Sequence, residues 1–442
     1  MINQTKSHLD VRCVALFFSV LVAPSLDASA ETYYLANDGN DKQNGTLTSP
    51  FGTFEHAIRV AEAGDTIYVR GGTYQLATGV VIEKSGARRR PINLWAYQNE
   101  KPILDFSGNP QHANPPQPRV DDSVAKTRSA VGIHVSGGGN YWHIKGLTIH
   151  SAAYYGVRIF GSNNIFERLV LRHNKASGLE ITGKEGCEPS NNLVLNCDSH
   201  HNFDTQSNGE DADGFGVKFK TVGSGNVLRG LRAWSNADDG YDFWHVPQPV
   251  LIEDCWSFDN GFNRPEWKRQ LSGGWQGDGM GFKLGQDASE LVLNRVVAFG
   301  NKGLGIDENG NRSRGGVTIN NATLVNNNKN GNPVQIQLND GRPHKVRNSI
   351  AFDVDGAEVT EFTTEVKDAF NSWNGRGVAA SDFKSLDMEQ LTKAAMGPRK
   401  ADGSLPDIGL QLDRRSRLID VGTNVGLPFR GKTPDLGAFE GE

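Results

Sequence analysis

Residues 236–244 read N-A-D-D-G-Y-D-F-W and place three carboxylates, Asp238, Asp239 and Asp242, around one glycine. Acids this close repel one another unless something neutralises them. A hard divalent cation such as Ca²⁺, which takes several oxygens from one loop, is the obvious candidate. A solvated acidic turn is the bland alternative, since Asp and Gly are ordinary turn residues. The stretch has relatives on both sides: D-G-F-G-V-K-F from Asp213 and D-G-M-G-F-K-L from Asp278, each carrying a lysine. Acids plus lysines suit abstraction of a proton next to a carboxylate. A cation holds the substrate carboxylate and stabilises the enolate-like transition state, and a lysine near that cation loses its proton more readily. Glycoside hydrolysis would instead want two carboxyl groups, for which Asp278 and Asp307 are available.

The elements that position these residues repeat along the chain. Seven-residue segments end at Asn174, Asn202, Asn236, Asn260, Asn301 and Asn327, and a second set follows each asparagine with alternating apolar positions, as in Phe215, Val217 and Phe219. Alternation of this kind is a half-buried strand. Two short strands and a turn, coil after coil, predict an all-β fold, a right-handed parallel β-helix, with the asparagines stacked as an amide ladder. In this register the outward positions bring Asp213, Asp238, Asp239 and Asp242 to one corner, and Asp278 stacks on the turn above Asp239. Lys218 and Lys283 occupy equivalent positions one coil to either side of Asp242. Glycines 216, 281 and 305 leave room for a ligand on the sheet, and an extended solenoid face suits a polymer.

The chain has 442 residues and a formal net charge of only −5, which gives no basic field for nucleic acid or membrane. Lys6 and Arg12 precede an apolar run over residues 14–23, and Ala28-Ser29-Ala30 fits a cleavage site, so residues 1–30 are expected to be a signal peptide and the mature protein secreted, soluble and monomeric. Residues 31–442 are expected to form one domain: a cap and first coil over 31–75, main coils over 130–355, and a loop-rich tail over 356–442 packed back on the coils. A short amphipathic helix is expected over 54–63, a long loop over 107–128, and a docking strand over 434–439. Cys197 and Cys255 share a rung position two coils apart, about 9–10 Å, which is beyond disulfide reach.

The runs D-A-D-G-F-G-V-K-F, S-N-A-D-D-G-Y-D-F-W and G-D-G-M-G-F-K-L-G, between an opening Y-Y-L-A-N-D-G-N-D and a closing P-D-L-G-A-F-E, resemble the pectate lyases of polysaccharide lyase family nine. The resemblance covers essentially the whole mature chain. It implies a secreted parallel β-helix that cleaves polygalacturonate by β-elimination, with Ca²⁺ held by Asp213, Asp238, Asp239 and Asp242 and with Lys283 as general base. Asp211, two residues from Asp213, offers a second carboxylate at that position. Lys218, Asp307 and Arg312 are assigned to substrate binding. A basic, aromatic insert over 264–275 separates the acidic turn from Lys283. Two other readings stay open: a lyase for another uronate polymer, and a non-catalytic glycan-binding β-helix.

Overall fold

The computed structural model describes residues 29–116, 125–219, 221–286, 290–309, 315–329, 331–339, 343–356 and 359–441. Residues 1–28 of the expected signal segment, and Arg312, lie outside the described residues. Strands of two to five residues stack in parallel into three sheets, of 12, 10 and 10 strands, each coil giving one strand to each. This is a parallel β-helix with three strands per coil where the repeat suggested two. The missed strands, such as Leu193–Leu195, carry too few residues for their alternation to stand out in the sequence.

The coil stack is also longer than the repeat. Strands Val80–Ile82, Ile92–Ala96 and Pro102–Asp105 already belong to the three sheets, and Thr360–Phe362 and Val366–Ala369 extend them at the other end. Inward-facing Val, Ile, Leu and aromatic side chains form one core from Leu35 to Ala351. The helix at the first coil is shorter than expected, Phe54–Val60; Thr53 caps it by accepting from His56 N, and Phe54, Ala57 and Ile58 are buried. Within the loop expected over 107–128, the described residues include a 3₁₀ turn at Pro110–Ala113 and the start of a helix at Ala125–Ala130.

The asparagine ladder is present. Each amide donates to the next Oδ1 from Asn174 through Asn202, Asn236, Asn260 and Asn301 to Asn327, over 2.8–3.0 Å. The same Oδ1 atoms also accept backbone N–H groups, for example Asn236 N to Asn260 Oδ1 at 3.0 Å. A shorter ladder, Asn164 to Asn192 to Asn226, runs at another corner. Cys197 and Cys255 are buried free thiols, level with Leu231 between them.

The tail packs on the outer face of one sheet. Trp234, Trp256, Phe258, Phe299 and Phe352 lie under Phe383, Leu391, Leu410, Leu418 and Leu436. Residues 434–439 dock there without forming a strand: Leu436 N bonds Leu418 O and Gly437 N bonds Asn348 O, leaving no ladder to extend. No helix among the described residues is long and apolar enough to cross a membrane.

Removing one rung should measure the ladder. Asn236→Ala strands the buried side-chain amide and backbone N–H of Asn202, and each orphaned group costs roughly 1–3 kcal/mol. Thermal unfolding should shift down clearly; an unchanged Tm would mean the column is not a cooperative stabiliser.

Candidate functional site

The site lies on the outer face of the sheet that the tail leaves uncovered. Strands Leu179–Thr182, Phe215–Lys218, Tyr241–Asp242, Phe282–Lys283 and Ile306–Asp307 are neighbours there. Inward, Phe215, Tyr241 and Phe282 stack with ring centres 5.5 and 4.6 Å apart and fix the strand register. Outward, the pairing sets Glu180, Gly216, Asp242, Lys283 and Asp307 in one column.

This corrects the sequence register by two residues. Lys283 lies directly above Asp242, so Lys218 and Lys283 are not in equivalent positions; Lys218 instead pairs with Thr182. The D-G-M run is misleading because Asp278-Gly279 belongs to the exit of the insert. Gly279 has a left-handed φ of 76° and its Cα is pressed against that of Gly261, so the chain has not yet entered the sheet. Met280, not Asp278, takes the position above Asp239. Gly281 and Gly305 do not clear space for a ligand either. They stand in a column with Gly214 and Gly240, where a Cβ would meet the next coil's carbonyl: at Gly281 it would lie 2.4 Å from Gly305 O.

Asp213 and Asp239 are held by a backbone ladder. Asp213 N donates to Ser177 Oγ, Asp239 N to Asp213 Oδ1 at 3.3 Å, and Met280 N to Asp239 Oδ1 at 2.6 Å. One oxygen of each acid is thereby held by the backbone, and Asp213 Oδ2 also accepts from Ser177 Oγ at 2.9 Å. Carboxylate oxygens of Asp213, Asp239 and Asp242 all lie within 4.8 Å of one another, and all three residues are buried. Asp238 is buried beside them and accepts from Asp278 N at 2.8 Å. Asp211 stands apart, its N–H bonded to Asp204 Oδ1.

Two ammonium groups enter this cluster from different sides. Lys218 Nζ is 2.8 Å from Asp213 Oδ2 and 2.7 Å from Asp242 Oδ2, with its side chain 7% exposed. Lys283 Nζ is 3.2 Å from Asp239 Oδ2 and 3.0 Å from Asp278 Oδ2; Asp278 itself is at the surface. Four buried acids against two lysines leave excess negative charge. Burial, and for Asp238 and Asp239 their like-charged neighbours, pushes the carboxyls of Asp213, Asp238 and Asp239 above their ordinary range. Burial pulls the Lys283 ammonium down, but Asp239, Asp238, Asp242 and Asp278 together outweigh it and hold its pKa far above an ordinary lysine. Lys218 is raised in the same way by Asp213, Asp242 and Glu180, again against burial. Hard oxygen donors, close spacing, burial and unrelieved charge make this cluster fit to hold a divalent cation.

Asp307 is buried next to Lys283, and its carboxyl is pushed up to about 6, chiefly by burial. Glu180 is buried 3.8 Å from Arg158, itself covered by the Tyr155 ring. Its outward position was visible in S-G-L-E-I-T, but nothing there announced its place behind Lys218.

Residues 33–353 match the family model described as "Pel9A-like, right handed beta helix region". The chain is 37% identical to pectate lyase L of Dickeya dadantii, over 92% of this chain and 90% of that protein. A crystal structure of pectate lyase Pel9A superposes with a TM-score of 0.76 at 33% identity, covering 93% of this chain and 96% of the other. A rhamnogalacturonan lyase structure superposes with a TM-score of 0.68 at 26% identity, covering 87% and 97%.

The burial of Lys218 yields a test against a substrate-gripping role. Lys218→Met should leave a buried acid pair uncompensated and destabilise the protein by roughly 3–5 kcal/mol. Added divalent cation should recover part of that loss. A variant of wild-type stability with only a raised KM would restore Lys218 to substrate binding.

Proposed function

Belonging to the Pel9A-like right-handed β-helix family, the chain is a pectate lyase, and we propose that it works by Ca²⁺-assisted β-elimination with Lys283 as the base. Asp213, Asp239 and Asp242 would hold the cation, with Asp238 beside them. When bound, Ca²⁺ draws charge from a galacturonate carboxylate and so acidifies the neighbouring C5–H.

Lys283 accepts the C5 proton on a neutral Nζ. The C5–H electron pair becomes the C4=C5 double bond, the C4–O4 bond breaks, and the departing oxygen takes a proton from water. Neutral Lys283 is required, and the acids that hold it as an ammonium are those assigned to the cation. Cation occupancy and base strength are therefore linked.

The observation that favours Lys283 over Lys218 is access. Lys283 stands at the edge of the acid cluster, in the outward column between Asp242 and Asp307, whereas Lys218 is sealed between Asp213 and Asp242. Asp307 would face the substrate beside the base. An apolar run and cleavage site at the N-terminus support secretion. The likeness to a rhamnogalacturonan lyase supports a second reading, the same chemistry on another galacturonate-containing polymer.

Ultraviolet absorbance of the unsaturated product should rise with polygalacturonate and Ca²⁺ and stop in a chelator, and rhamnogalacturonan run in parallel assigns the polymer. Lys283→Ala should lower kcat roughly 10²–10⁴-fold, the usual range for a general base, with folding nearly intact. Lys283→Arg should fail too, because a guanidinium with a pKa above about 12 cannot serve as a base. Asp239→Asn should weaken Ca²⁺ binding and turnover together. Full activity in chelator would sink the metal; near-normal kcat in Lys283→Ala would sink the base.

A further inference from the structure

Beside the asparagine ladder lies a second cleft, of opposite charge to the acid cluster. His150, His173 and His201 line it on the coil side, and Glu266, Trp267 and Gln270 of the insert close it on the other, around about 430 Å³. That volume falls within the roughly 300–1,000 Å³ of small-ligand pockets. His173 and His201 lie on the coils that continue into Leu179–Thr182 and Phe215–Lys218, so the cleft flanks the open sheet just below the acid cluster.

The coil register supplies a cation here. Val170–Arg172 pairs with Thr148–His150 below and Asp198–His200 above, which stands Arg172 between His150 and His200 on the outer face, while Leu171 is buried in the core. Arg172 Nε is buried without a hydrogen-bond partner, and no carboxylate among the described residues pairs with the guanidinium. The neighbouring rings add no charge of their own. Burial, then the other imidazoles and Arg172, lowers His173 to about 4 and His200 to about 3, so both are neutral at neutral pH. A neutral imidazole still donates one N–H, and His173 is exposed.

The rest of the corner keeps a positive surplus. Lys175 lies 5.8 Å over the Phe203 ring and donates to Gln270 Oε1 at 2.8 Å. Arg264 is paired with Asp259 at 2.5 Å. Lys268 and Arg269 stand exposed on the insert. Against Arg172, Lys175, Lys268 and Arg269 the cleft sets one carboxylate, Glu266. An unpaired, half-buried guanidinium favours an anion, and its planar fork matches a carboxylate bidentately. Phe203 and Trp267 add apolar walls, which suit a sugar ring better than a bare inorganic anion.

We propose that this cleft is a secondary binding site for an acidic sugar, with Arg172 gripping a uronate carboxylate and His173 donating to a ring hydroxyl. The choice of a uronate rests on the pectate reading above. The site differs from the acid cluster in needing no metal, because the protein itself carries the positive charge.

Calorimetric titration of trigalacturonate into the full chain in a chelator tests this, since Ca²⁺-assisted binding at the acid cluster is then absent. Wild type should bind one equivalent, and the fully methyl-esterified trimer should bind at least tenfold more weakly. Arg172→Gln, checked for intact folding by circular dichroism, should lose at least tenfold in affinity, whereas Asp239→Asn should keep it. The ester comparison needs no variant and decides the matter if Arg172→Gln fails to fold. No binding in chelator, equal affinity for the ester, wild-type affinity in Arg172→Gln, or a tenfold loss in Asp239→Asn would each overturn the proposal. Turnover of polygalacturonate is read separately: a wild type that cleaves with Ca²⁺ but binds nothing in chelator sinks this site alone, and one that binds without cleaving sinks the pectate reading alone.

Discussion

Parallel stacking sets the main constraint on this molecule: every side chain meets the one at the same position a coil above and below. Asparagine satisfies that constraint with its own kind, because one amide both donates and accepts, and the Asn174–Asn327 column ends on the Gln335 amide oxygen. Aspartate cannot, because an ionised carboxylate only accepts. Asp213 above Ser177, and Asp239 above Asp213, are tolerated because backbone N–H groups take one oxygen of each and Lys218 takes another from Asp213 and one from Asp242. What remains is a concentration of buried charge that nothing in the fold cancels. The same column geometry that builds a rigid ladder at one corner therefore gathers, at the next, acids fit to hold a cation.

The two lysines show how one residue type takes two tasks from its surroundings. Lys218 has Glu180 behind it and an acid on either side, so removing it exposes a charge imbalance within the core. Lys283 lies two coils higher, at the edge where Asp278 reaches the surface. Burial penalises both ammonium groups, and the acids overcompensate in both. Only for Lys283 does relief of the acid field leave a nitrogen within reach of a ligand on the sheet.

Periodicity made the ladder, the coil architecture and the four aspartates legible, because each repeats a residue type at a fixed place. Reading failed where a repeat was imitated. Asp278-Gly279 copies Asp239-Gly240 in letters, yet the insert has displaced it by two residues from the sheet, so Lys283 stands level with Asp242 and not at the position equivalent to Lys218. The Gly281 and Gly305 column looks like open space in the sequence but serves close approach of neighbouring backbones, since both purposes call for the same missing Cβ. Lys218 looked exposed because its outward position was visible and the acids that cover it were not. The histidines of one corner were half visible: His173 and His201 each precede a ladder asparagine and so share a register position, whereas His150 lies before the first aligned segment.

Coverage finally decides which face can work. The Trp234–Phe258–Phe299 face is apolar, its rings stacked flat 5.7 and 5.0 Å apart, and the tail buries it under Leu391, Leu410 and Leu436. Covering the acidic face in that way would place Asp238, Asp239 and Asp242 against hydrocarbon, at a cost of several kcal/mol per uncompensated charge. The polar columns thus keep one sheet open to water, while the aromatic column draws the tail to another. The acids and Lys283 converge on that open sheet, the face on which an extended ligand would lie clear of the tail.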